Sequence, residues 1–328
     1  MNLPLFPIDS LYSLDDFNKV RQYVEIAAFK ILGYFIFLRR ICEKNKVNIL
    51  HAHFGYHGRK MIGLQQALKI PLVCSFYGDD AFAQAYTKGY ANLFKNADAI
   101  LVLGPYMKSA LINLGCAEAK INIHHLGIDV EKLRFEERKV KDRSVRFLIA
   151  SSFLKKKGVD LAIQALSTFK DRYKFSLDII GDGPLKGEVL AEIEKGGIQD
   201  QVKLHGYQPY DYFINLTYQC DVFIQASRTT EENRKEGTPM AIVDAMATGM
   251  AVVSTRHSDI PEIVLDGSTG YIAEENNLES LRFCIQKIFD NPQEILELGK
   301  KGRERVEKEF NVKIQTEKLE ELYTELIN

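Results

Sequence analysis

Two spacings of apolar residues alternate along this chain, and each change of spacing marks an element. Residues 14–44 carry helical spacing, with a nearly continuous apolar run over 27–38 that Lys30 and Gly33 interrupt and Arg39 and Arg40 close. Short apolar runs of strand length follow at 47–52, 71–76, 97–103 and 121–125, with a helix predicted over 106–114. A stretch at 131–146, in which eleven of sixteen residues are charged, reads as a linker. Beyond it a second series of strands is predicted at 145–150, 175–180, 202–206, 220–225, 250–254 and 270–273, and two helices at 292–310 and 313–327. Strands that alternate with helices specify parallel sheets covered on both faces. The expected class is therefore α/β, with one domain over 1–140, a second over 141–310 and a closing helix over 311–328.

Composition narrows this picture. At 328 residues and 46% hydrophobic, the chain has enough apolar material for two cores. The net charge of -1 gives no overall field for wrapping nucleic acid. Five scattered cysteines with no C-x-x-C pair fit reduced thiols in a cytoplasm and imply no structural zinc. The first residues have neither a basic region nor a long apolar core, so no secretory signal is read. The 27–38 run is shorter than the ~20 residues that span a bilayer. It fits a buried helix, or a membrane-surface contact with Lys30, Arg39 and Arg40 beside Phe29, Tyr34, Phe35 and Phe37.

The richest chemistry lies in the run from Glu236 to Thr255. Thr238 suits an N-cap and Pro239 a first helical residue, so the amides of Gly237, Thr238 and Met240 would project from a positive helix end suited to a diphosphate. Ala241, Ile242, Ala245 and Met246 form an apolar stripe, Asp244 falls on the polar side, and Gly249 stops the helix. Glu236 and Asp244 could flank one ligand. An ordinary helix connecting two strands is the plainer reading of the same run.

Two acids with seven residues between them, spanning Gly237-Thr238-Pro239 and followed by Ala247-Thr248-Gly249 and the Val252-Val253 strand, resemble the donor-site signature of retaining glycosyltransferases of family 4. The run from Ser254 to Glu262 and the run His51-Ala52-His53-Phe54-Gly55 resemble the branch that builds colanic acid and related exopolysaccharides. The resemblance covers roughly residues 46 to 328. It implies the GT-B fold, two Rossmann-like domains whose parallel sheets face across a cleft. It further implies a nucleotide-sugar donor as substrate rather than a resident cofactor, and a saccharide or lipid-linked saccharide as acceptor. Peripheral contact with the cytoplasmic membrane face stays open.

Carried over residue by residue, Glu236 would meet the donor sugar hydroxyls, Asp244 the ribose, and Lys157 the diphosphate. Family members usually have Glu at the Asp244 position. Ser152 stands where they have Arg, so one charged contact is replaced by a neutral hydrogen bond. The leading strand and glycine-rich loop of the family are not visible, which shortens the first domain. That departure, with Ser152 and Asp244, leaves a non-catalytic or truncated nucleotide-sugar binder as the alternative to an enzyme.

Three further motifs stay open. The turn containing Gly181, Asp182, Gly183 and Pro184 follows a strand, but Lys186 occupies the sixth place where a dinucleotide fingerprint needs glycine. In the family this turn lies near the nucleotide base; a plain tight turn fits as well. His51, His53 and His57 could share a face, yet no further ligand follows at metal spacing, so no metal is assigned. His53 is taken as the acceptor-side residue, a buried structural histidine being the alternative. Tyr77 stands where the family has His, and Asp80 is retained.

Overall fold

The computed structural model describes residues 18–83, 87–139 and 144–328; the predicted boundary at 140–141, residues 14–17 and the extreme N-terminus lie outside them. The described chain falls into two compact units. One runs to Leu103 and also takes Lys108–His124 and Thr316–Asn328, while the other holds Gly104–Met107 and His125–Gln315.

In the first unit, the predicted long helix is two. Helix α1 (Lys19–Leu32) starts at Asn18, whose side chain accepts from the Arg21 amide at 3.0 Å, and stops at Gly33, which has a φ of +79°. Helix α2 (Ile36–Lys44) follows. The break is needed because helix α3 (Gly55–Leu68) approaches so closely that a Cβ on Gly63 would sit 2.4 Å from the Gly33 carbonyl oxygen. Phe29 stacks on Phe35 at 4.7 Å, Phe37 is buried, and the buried Glu25 accepts from the Phe37 amide at 3.3 Å. Strands β1 (Leu50–His53), β2 (Leu72–Ser75), β3 (Ala99–Val102) and β4 (Ile121–Ile123) form a parallel sheet in that order. Each starts within three residues of its predicted position. The C-terminal helix α14 (Val312–Ile327) lays Leu319, Leu322, Tyr323 and Leu326 against Val73, Ala99 and Leu101 of this sheet.

The second unit has a six-stranded parallel sheet built from β5 (Ser144–Ala150), β6 (Lys174–Ile180), β7 (Val202–Gly206), β8 (Val222–Gln225), β9 (Ala251–Thr255) and β10 (Gly270–Ala273), in the order β10-β9-β8-β5-β6-β7. Its central strands are buried on both faces, one apolar cluster containing Phe147, Ile149, Ile179 and Ile224 and the other Leu148, Phe223, Ile242 and Val252. Chain order reverses between β5 and β8, and ligands in such sheets bind beyond the carboxyl ends at that point.

The charged stretch corrects the linker reading. Its described residues, 131–139 and 144–146, group with the second unit, where the buried Arg138 guanidinium donates to the carbonyls of Thr217 and Thr248, each at 2.9 Å. Charge alone looked like solvent exposure; here two helix-end carbonyls supply the partner. Among the described residues no helix is long and apolar enough to cross a membrane.

Candidate active site

The switch point gathers residues far apart in the chain. After β5 the backbone turns through Lys155–Lys157 to Gly158, whose φ is +62° and whose added Cβ would lie 1.8 Å from the Ala226 carbonyl oxygen. Only glycine lets the loop after β5 lie so close to the loop after β8. Lys157 Nζ then reaches Glu236 Oε2 at 2.7 Å, and Lys156 Nζ stands 3.4 Å from Oε1. Among the described residues Glu236 Oε1, although buried, has no hydrogen-bond partner. The loop is braced by Arg228, which grips Asp160 at 2.6 and 2.7 Å, donates to the Lys155 carbonyl at 2.9 Å, and bonds the Lys156 carbonyl through its amide at 2.9 Å.

Glu236 is aimed from behind by His257, which had no role in the sequence beyond its place in the Ser254–Glu262 run, and by Glu275, which was not singled out. The Glu236 backbone amide donates to His257 Nε2 at 2.9 Å; His257 Nδ1 faces Glu275 Oε2 at 2.9 Å, and Glu275 Oε1 accepts from the Thr229 amide at 2.6 Å. A ring that accepts at Nε2 must carry its proton on Nδ1, so the bonds assign a neutral His257. Burial lowers its pKa, though Glu275 pulls the other way. Burial alone would raise the Glu275 carboxyl; the Thr229 amide and His257 outweigh it and hold it low. His257 lies in the Ser254–Glu262 run that carried the branch resemblance, whereas for Glu275 its place just after β10 was the only sequence signal.

Helix α10 (Met240–Ala247) begins one residue later than expected. Pro239, extended at ψ 95°, is the N-cap, and no side chain caps the helix, so Thr238 does not serve as the cap. The first turn closes when the Ile242 amide donates to the Pro239 carbonyl at 2.9 Å. Among the described residues no hydrogen bond engages the amides of Gly237, Thr238 or Met240. Asp244 is not on a wet face. It is 5% exposed, accepts from the Tyr210 hydroxyl at 2.9 Å, and burial pushes its carboxyl up to about 6. Tyr210 opens helix α9 (Tyr210–Thr217).

Gly181 and Gly183 let the loop after β6 lock onto the loop after β5. An added Cβ on Gly181 would sit 2.0 Å from the Ser151 carbonyl oxygen, and one on Gly183 would sit 2.9 Å from that of Phe153. Ser152 is exposed at this junction, and its carbonyl accepts from the Leu154 amide at 2.9 Å. A groove of about 400 Å³ lies by β6 and β7, lined in part by Arg146, Asp178, His205 and Tyr212. Within it His205 bonds Asp178 and Tyr212 at 2.7 Å each.

The remaining predicted residue, His53, belongs to the first unit. It is exposed at the end of β1, bonds the Tyr77 hydroxyl, and stacks on His51 with ring centroids 4.5 Å apart. His51 bonds Tyr323 and, at 2.7 Å, Ser75; burial and then the neighbouring His53 and His124 bring it down to about 3, which keeps it neutral. Among the described residues no three His, Cys, Asp or Glu side chains converge as a metal set. Asp80 is buried and accepts from the amides of Gly55, Tyr77 and Gly78, each at 3.0 Å, tying the loop after β1 to the loop after β2.

Comparison with known proteins is consistent with this geometry. The family described as "Glycosyl transferases group 1" matches residues 129–305, just over half of the chain, and the one described as "Glycosyltransferase Family 4" matches 21–132. The amylovoran biosynthesis glycosyltransferase AmsK of Erwinia amylovora is 30% identical over 286 residues, covering 85% of this chain and 70% of AmsK. A glycosyltransferase from Rickettsia africae superposes with a TM-score of 0.78 at 19% identity, over 95% of this chain and 84% of the other. Anabaena HepE, in complex with UDP and glucose, superposes with a TM-score of 0.75 at 16% identity, over 91% and 83%. The fold shared with these structures is GT-B, two Rossmann-like halves each with a parallel sheet.

Proposed function

The chain belongs to the group 1 glycosyl transferases, and from that premise we propose that it moves a hexose, with retention of configuration, from a nucleoside diphosphate sugar to a growing or lipid-linked polysaccharide in exopolysaccharide assembly. One observation carries the reading: Glu236 Oε1 is buried without a hydrogen bond while Oε2 is held by Lys157. A buried, unsatisfied carboxylate oxygen costs more than the ~1–3 kcal/mol of a neutral group, and a sugar hydroxyl would satisfy it. The amides of Gly237, Thr238 and Met240 with Lys157 receive the diphosphate, as HepE's complex with UDP suggests by analogy. Asp244, with the Tyr210 hydroxyl on it, serves the ribose.

In the transfer, the bond from the sugar C1 to the β-phosphate oxygen breaks with its electron pair on the diphosphate. A new C1–O bond forms to the acceptor, whose proton passes to a diphosphate oxygen. Charge builds on the leaving group, so the fixed cations and amides act where the transition state needs them. That step calls for no metal, and His53 is assigned to the acceptor. The work takes place at the cytoplasmic face of a membrane, where the acceptor's lipid is anchored.

The alternative, a donor binder without transfer, draws on the neutral, exposed Ser152 at the family's Arg position. Release of nucleoside diphosphate, assayed with a panel of nucleotide sugars and lipid-linked saccharides, separates the two. Release that depends on acceptor is expected; donor binding with no acceptor-dependent release would overturn the enzyme reading.

A further inference from the structure

We propose that Phe54, with the rings of Tyr56 and Tyr77 beside it, forms a platform on which a pyranose ring of the acceptor saccharide lies. This rests on the enzyme reading above and gives the acceptor's sugar a seat that reading did not contain.

Phe54 is a strained residue at a strand end. It joins β1 to α3 with φ +70° and ψ 134°, a combination that glycine adopts freely and phenylalanine only under strain. Its backbone cannot relax, because the amide donates to the Ser75 carbonyl at 2.8 Å and the carbonyl accepts from the amides of His57 and Gly58 at 3.0 and 3.1 Å. The next amide, on Gly55, donates to the buried Asp80 at 3.0 Å, and a Cβ added to Gly55 would run into the Phe76 ring. The path of the chain is thus fixed on both sides, and a glycine in place of Phe54 would follow it without cost. The phenylalanine is 37% exposed, so burial of its ring offsets the strain only in part. Strain held by over-determined surroundings gathers at ligand sites. Here it delivers an aromatic ring to the surface at the carboxyl end of β1, the end at which open parallel sheets bind ligands.

Neighbouring rings extend this one side chain into a platform. Tyr56 lies nearly parallel to Phe54, with centroids 5.4 Å apart and planes 14° apart, and Tyr77, from the loop after β2, meets Phe54 edge to face at 5.0 Å and 62°. Tyr77 also stacks with His53 at 5.8 Å and bonds it through its hydroxyl. A sugar ring has the complementary surface. One of its faces presents C–H groups that suit the negative face of an aromatic ring, and its rim carries hydroxyls that suit the phenol and imidazole groups interleaved with these rings. An acyl chain asks for apolar contact throughout, and of these four rings only that of Phe54 lacks a polar atom. The donor's diphosphate and ribose already have their assigned groups in the second unit.

The chain contains no tryptophan, so Phe54→Trp places a single fluorescent reporter on the platform of the full chain. Its emission should shift to shorter wavelength on titration with methyl glucoside, methyl galactoside, maltose or lactose, and stay put with UDP or with a lysophospholipid below its micelle concentration. A shift with UDP alone, with the lysophospholipid alone, or with none of these probes overturns the proposal. In the release assay, Phe54→Ala should raise the acceptor concentration for half-maximal rate roughly three- to tenfold, the scale of an aromatic contact, and leave the donor's unchanged. Phe54→Tyr, which keeps the ring face, should raise it by less. An unchanged acceptor value, or an equal rise for donor and acceptor, overturns the proposal and leaves the donor site standing. No acceptor-dependent release from the unaltered chain overturns the enzyme reading, and the tryptophan titration then decides by itself whether a sugar lies here. Melting curves establish that the variants fold and test the strain: Phe54→Gly should melt above Phe54→Ala, against the usual order of those two residues. The usual order would overturn the claim that Phe54 is held under strain for the sake of its ring.

Discussion

Lys157 Nζ and Glu236 Oε2 stand 2.7 Å apart although the two residues are 79 positions apart in the chain. The pair forms because β5 and β8 are neighbours at the point where chain order reverses, so the loops leaving them must cross the same space. A lysine and a glutamate brought together largely out of water are held by more than a surface ion pair would be, and separating them exposes one uncompensated charge.

Glu236→Gln removes that charge while keeping shape and the backbone bond to His257. The expected outcome is a folded protein whose transfer rate falls by roughly 100-fold or more, the scale of losing a preorganised electrostatic contact in the transition state. Nucleoside diphosphate release at the unaltered rate from the folded variant would sink the assignment.

His257→Phe tests the brace behind Glu236. The ring would still fill the buried space, but the Glu236 amide and Glu275 would lose their partner, at a cost of about 1–3 kcal/mol in stability. Transfer should fall roughly tenfold or more because Glu236 is no longer aimed. Denaturant titration reads the first effect and the release assay the second; a variant equally stable and equally active would show that the chain of bonds positions nothing.

The sequence carried the fold well where patterns are local. Most strand positions in both sheets were legible because each is a short apolar run bounded by turn residues, and Gly181 and Gly183 announced a turn. What stayed hidden depends on which strands are neighbours. Glu275 is anonymous in the sequence and meets His257 only because β9 and β10 pair side by side. Asp244 looked polar by helical spacing, yet α9 brings Tyr210 over it and closes the face. Arg138 looked solvated within a charged run, and its partners are carbonyls 79 and 110 residues away.

The outward face of α1 bears on the membrane reading. Val20, Tyr23, Val24, Ala27 and Ile31 are exposed and follow one stripe of the helix, with Lys19, Arg21 and Lys30 along its borders. An apolar stripe with basic borders suits an anionic bilayer surface. Sedimentation with vesicles containing anionic lipid should pull the chain down at low salt and less at high salt, and Val24→Glu with Ile31→Glu should abolish it. Equal recovery with neutral and anionic vesicles, or no effect of the two substitutions, would count against this face as the contact.

Asp244 gives a pH signature whose sign can be worked out. Its carboxyl sits near 6 in the folded protein against an ordinary 3.8, because burial outweighs the hydrogen bond from Tyr210. Between those values the unfolded chain has released the proton while the folded chain keeps it, so the unfolded state binds fewer protons and stability falls as pH rises from about 4 to about 6. Above the folded value the loss is complete and stays constant. Two pKa steps correspond to about 3 kcal/mol at most. Asp244→Asn keeps the size and an acceptor for the Tyr210 hydroxyl but removes the charge. It should therefore melt at a higher temperature than the unaltered chain at pH 8, with the difference shrinking toward zero near pH 4. Asp259 is raised to about 6 as well, burial again outweighing the amides of Tyr106 and Met107, so only the difference between the two proteins isolates Asp244. A difference in melting temperature that is flat from pH 4 to pH 8 would mean that the Asp244 carboxyl is not held protonated by its surroundings. If donor binding weakened in Asp244→Asn at pH 8, the charged carboxylate would be the form that meets the ribose.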